Sequence, residues 1–142
     1  MNIKVAAIST LIAFPLLNVS AQAEDDREAL PVTAAQKTQM LGEMRGFLEA
    51  VQDIVLAMAE NDMPSVIEAA KSMGMGRNRG TGQGVGRYMP MEFRQMGRGT
   101  HVAFDELAQA AEFGPEGVLE ELGVLMSNCN GCHATYRLVL RP

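Results

Sequence analysis

Cys129-Asn130-Gly131-Cys132-His133 is a C-x-x-C-H run near the end of the sequence. Two thiols three residues apart on a helix share one face, so both can add to the two vinyl groups of a single porphyrin. The neighbouring imidazole then projects toward the iron. The run therefore reads as the attachment site of one covalent haem c. Other chemistries fit these five residues less well. A thioredoxin-like pair opens a helix within a βαβ unit. A zinc site needs four nitrogen or sulfur ligands, and outside the run only His101 is left to help. A disulfide across two residues would close a tiny loop and stabilise little.

The elements that must position this run are helical. Setting aside a leader and the terminal Pro142, prolines stand at 31, 64, 90 and 115, each before or at the start of an apolar-periodic stretch, where helices accept them. The first helix is predicted over residues 33–60, capped by Thr33. Its apolar seam of Met40, Met44, Phe47, Val51, Ile54 and Met58 steps by four and three, with Leu41, Leu48 and Val55 widening it. Asn61-Asp62 ends it, and Asp62 caps a shorter second helix through Val66, Ile67, Ala70 and Met73. A third is predicted over 90–112, with Phe93, Met96, Phe104, Leu107 and Ala111 inward. The fourth is predicted over 115–140, with the seam Val118, Leu122, Leu125, Cys129, Cys132 and Tyr136. No stretch alternates with period two for long, so no strands are expected. The expectation is all-α: an antiparallel four-helix bundle carrying the haem on its C-terminal helix.

Composition agrees. The chain has 142 residues, 47% of them hydrophobic but only 5% aromatic, with 11 Met and no Trp. Such a core is aliphatic, and a flat apolar macrocycle inside it would replace missing aromatic bulk. A net charge of −5 argues against general nucleic-acid binding, which needs a basic surface. Residues 74–88 hold six glycines. They lack the preceding strand and the closing Gly-Lys-Ser/Thr of a phosphate loop, and read as an inter-helix connection. Arg77, Arg79, Arg87, Arg94 and Arg98 fall within residues 77–98, which hold one acid, Glu92. Besides a solvated loop, this basic patch suits a docking surface for an acidic partner, centred on Arg77, Arg79 and Arg87, or an anchor for cofactor carboxylates.

Residues 1–23 read as a signal peptide: Lys4 is positive, residues 5–17 are apolar, and Ala21-Gln22-Ala23 is a small-x-small cleavage site. The apolar run is too short to span a bilayer. Cleavage after Ala23 would leave residues 24–142 as one domain exported to the periplasm, without stable membrane insertion. That compartment is oxidising, where bare thiols rarely persist.

The position of the run, and its continuation as Cys129-x-x-Cys132-His133-x-x-Tyr136-Arg137, resemble the class II cytochromes c, the family of cytochrome c′ and its low-spin Met-ligated relatives. The glycine-rich loop and short second helix depart from that pattern. The resemblance implies thioether bonds to Cys129 and Cys132 and His133 as proximal iron ligand. It places Arg137 one turn after His133, near the proximal side of the haem, or else answering the helix dipole. Tyr136 is expected to pack as core. Such proteins can form homodimers through their first two helices.

The resemblance also puts the distal residue on the first helix, where Met44 and Met40 lie one turn apart. Met44 stands at the better-matching distance from the helix end, and Met40 is the second choice. A thioether there gives a six-coordinate, low-spin iron with a raised potential. An apolar residue leaves the iron five-coordinate. His101 is a remote third candidate. The leading expectation is a periplasmic carrier of single electrons between redox partner proteins, not an enzyme; the alternative is a five-coordinate protein binding NO or CO.

Overall fold

A computed structural model describes residues 24–78 and 85–141, with only the backbone described for Arg77, Asn78, Val85 and Arg87. Residues 1–23, expected to be a signal peptide, and Arg79 lie outside the described residues. The chain is mostly helical, with four helices: α1 (Ala34–Ala59), α2 (Met63–Met73), α3 (Met91–Ala110) and α4 (Pro115–Thr135). Two short 3-10 turns, Met75–Asn78 and Val85–Tyr88, separate α2 from α3. Strand β1 (Glu28–Val32) precedes α1, and strand β2 (Tyr136–Leu140) follows α4.

Local chemistry sets the helix starts. Thr33 Oγ1 accepts from the Gln36 amide at 3.2 Å, and the Thr33 amide donates to Gln36 Oε1 at 2.9 Å. This reciprocal box satisfies two amides that the first turn of α1 leaves unpaired. Asn61, with φ of 56°, reverses the chain through the left-handed region that asparagine tolerates. Asp62 then accepts the Ser65 amide and hydroxyl at 3.2 and 2.6 Å, which opens α2. Gly114 takes φ of 118°, where a side chain would strain the backbone, and Pro115 begins α4.

Helices adjacent in sequence pack together: α1 on α2, α2 on α3, and α3 on α4. The fully buried Ile54, Val66, Phe104, Leu107, Val118 and Leu125 form the shared core. Between α1 and α4 there is little direct packing among the described residues. The stripe meant to widen the α1 seam is not buried: Leu41, Leu48 and Val55 are 41%, 69% and 50% exposed. They lie on the side of α1 that no neighbouring helix covers.

The strands correct the sequence reading. Residues 136–140 do not extend α4; they pair in parallel with β1, Glu28 opposite Tyr136 and Val32 opposite Leu140. The Arg141 amide continues the ladder to Val32 O at 2.9 Å. Leu30 and Val32 alternate inward and bury, with Tyr136, against Met40 and Met89. Five residues give too short an alternation to stand out in sequence, and Pro31 masks it further. Proline is tolerated here because this strand is an edge.

Candidate functional site

A cavity of about 740 Å³ lies between α1, α3 and α4, where the helices leave one side of the assembly unpacked. Its wall is mainly apolar, and its volume falls in the range of cofactor sites. Cys129, Cys132 and His133 line it from α4, and Met40 and Met44 from α1. The attachment and iron-ligand candidates Cys129, Cys132, His133, Met40 and Met44 thus reach one space. The helical repeat brings Cys129 and Cys132 to the same face.

Both cysteines are free thiols of intermediate burial. Burial pushes both thiols above their ordinary value, and at Cys132 the neighbouring Cys129 adds to the effect. They sit near the C-terminal end of α4, where the helix dipole disfavours a thiolate. A disulfide oxidoreductase requires the opposite: a depressed thiol at a helix N-terminus. His133 is exposed on the last turn of α4. Its backbone carbonyl accepts from Arg27 Nη1 at 3.2 Å, and the Tyr136 amide closes the turn on Cys132 O.

The two methionines differ. Met40 is 7% exposed and belongs to the cluster of Leu30, Val32, Met89 and Tyr136, against which Cys132 also packs. Met44 is only partly buried at the edge of the main core. Met40 is thus the more deeply packed of the two, and Met44 the more accessible from the cavity.

His101 also lines the wall, but both ring nitrogens face protein oxygens. Nδ1 lies 2.6 Å from Met73 O, and since a carbonyl only accepts, Nδ1 carries the proton. Nε2 stands 3.6 Å from Glu43 Oε1, and the ring meets Phe47 edge-on at 5.1 Å between centroids. Sequence reasoning missed Glu43, because nothing local joins it to a histidine on another helix.

Arg137 departs from its expected place. It lies in β2 rather than one helical turn beyond His133; its Nε donates to Arg27 O at 3.2 Å and stands 3.8 Å from Asp25 Oδ2. Tyr136 is buried and meets Phe93 edge-on at 5.3 Å. Of the basic patch, Arg94 and Arg98 line the cavity. The side chains of Arg77 and Arg87, like all of Arg79, are outside the described residues. Arg45, which the sequence did not single out, joins Arg94 and Arg98 at the wall.

The residues present fit a haem: two thiols and an imidazole on one helix, a facing thioether, an apolar chamber and cations beside it. Among the described residues no helix is long and apolar enough to cross a membrane. Comparison with known proteins found no matching family model, no matching curated protein and no matching solved structure.

Proposed function

We propose that this chain is a c-type cytochrome that carries single electrons in the periplasm, exported by cleavage after Ala23. Its four helices would form an antiparallel bundle like that of the class II cytochromes c. One observation supports this above others: Cys129, Cys132, His133, Met40 and Met44 line a single apolar cavity. Cys129 and Cys132 would hold the haem as thioethers and His133 would be its proximal ligand. When bound, the haem supplies reversible one-electron Fe(III)/Fe(II) chemistry.

The chain's own contribution is position and a mainly apolar setting. Met44 is favoured as distal ligand over Met40 because Met40 is engaged in the cluster around Tyr136. The mainly apolar wall would limit reorganisation around the iron. The proposed role is a carrier of electrons and not an enzyme. Arg77, Arg79 and Arg87 would dock an acidic redox partner. Reversing their charges should weaken the ionic-strength dependence of electron transfer, and an unaltered dependence would remove that docking role.

A second reading has its own support. Leu41, Leu48 and Val51 share the α1 wall with Met44, and one of these facing the iron would leave a vacant site for NO or CO. Visible spectra of periplasmically matured protein, oxidised and reduced, with and without CO, separate the two. Sharp split bands that ignore CO, and that Met44→Ala converts to a CO-sensitive form, support the carrier. Broad bands that shift with CO support the gas binder. Absence of haem bands despite a competent maturation system overturns both.

A further inference from the structure

Arg45 on α1 and Arg94 and Arg98 on α3 reach the wall of the same apolar cavity from two helices. None has an ion-pair or hydrogen-bond partner for its guanidinium among the described residues. The one carboxylate on that wall is Glu43, and it faces His101 Nε2 at 3.6 Å. The chain as a whole is acidic, so chance alone would put acids among these cations. Three unpartnered guanidiniums on an otherwise apolar wall are what a ligand with an apolar body and a carboxylate-bearing part would require. Guanidinium is weakly hydrated and matches carboxylate geometry with two parallel donors.

We infer that Arg45, Arg94 and Arg98 bind the carboxylates of the molecule that fills the cavity, and so select a porphyrin dicarboxylate over a porphyrin without free acids. This deepens the haem reading proposed above and rests on it. It also divides the basic patch of the sequence into two parts with separate work. Arg94 and Arg98 line the cavity and would serve the ligand, while the docking of a protein partner is proposed for Arg77, Arg79 and Arg87. The thiols of α4 would grip the ring covalently, while the guanidiniums of α1 and α3 would fix it through its acids. Contacts of this kind are partly exposed, so their contribution should fall with salt.

The test uses the full mature chain with free Cys129 and Cys132, produced without haem-attachment machinery and kept reduced. Metal-free protoporphyrin IX and its dimethyl ester are titrated against it by fluorescence. The diacid should bind about tenfold more tightly than the diester at low salt. That preference should fall below about twofold in Arg94→Gln/Arg98→Gln and shrink at high salt. Lys71→Gln, an exposed change on α2, should keep it. The arginines are exposed, and a thermal midpoint close to that of the parent chain confirms that the variant is folded. Equal binding of the two porphyrins, binding of neither, or a preference that survives loss of the arginines overturns the inference. Haem colour in the periplasmic protein with no diacid preference removes this inference alone. A diacid preference in a protein that never acquires haem colour removes the carrier reading alone.

Discussion

The two ends of the helical assembly use similar residues to opposite effect. At one end, Ile54 of α1, Val66 of α2, Phe104 and Leu107 of α3 and Val118 of α4 bury one another completely. At the other, the same α1 seam continues through Met44 and Met40, and the facing part of α4 brings Met126, Cys129, Cys132 and His133 to the wall. These side chains leave the space between the helices unfilled, and a cavity of about 740 Å³ results. Leu41 and Leu48 stay exposed at its margin. Close-packed interiors rarely leave voids of this size without a use. The same apolar seam therefore borders an unfilled cavity where it faces the thiol-bearing stretch of α4, and a packed core where it faces aliphatic and aromatic residues.

The sharpest way to break this comparison is at the thiols. Cys129→Ser/Cys132→Ser should abolish covalent haem altogether, read as loss of haem staining on a denaturing gel, while the packed end retains its helices by circular dichroism. Next comes the packed end itself. Phe104→Ala should cost about 3–5 kcal/mol in urea unfolding, against less than about 0.5 kcal/mol for Leu48→Ala in the haem-free chain. Comparable costs would show that the open end is as tightly packed as the closed one.

The strand pair beneath the cavity should respond at an intermediate level. Leu30→Ala removes a buried side chain from the cluster holding Met40 and Tyr136, at about 2–4 kcal/mol. It should also loosen the end of α4, seen as faster amide exchange at Tyr136. The smallest effect concerns Asp25. The Arg27 guanidinium, held through a side-chain hydrogen bond, lowers this carboxyl to about 2. A depressed folded value means that the contact stabilises the β1 end above about pH 4 and is lost as pH falls toward 2. Chemical shifts of β1 amides should move across that window, and Asp25→Asn should abolish the movement.

Much of this was legible in sequence because it is local. Thr33 with Gln36, Asp62 with Ser65, and Pro115 after Gly114 each fix a helix start through contacts within a few residues. The seam of α1 and the one-faced placement of Cys129 and Cys132 follow from the helical repeat. The end of α4 was not legible. Tyr136 and Leu138 suit a helix seam as well as a strand, and only pairing with Glu28–Val32 from the opposite end of the chain decides between them. Arg137 moved with that choice, from a helical turn beyond His133 to a contact with Arg27.

By itself the sequence determined four helices, their starts, and a C-x-x-C-H run on the face that the last helix turns inward. Backbone propensity, capping and a fixed period act over a few residues and need no knowledge of the rest of the chain. The tertiary structure alone decided that α1 and α4 stand apart, that Met40 is more deeply packed than Met44, and that His101 answers to Glu43 and Met73. It also put Arg94 and Arg98 on the cavity wall. These are relations between side chains far apart in sequence, set by which surfaces meet when the helices bury their apolar faces together.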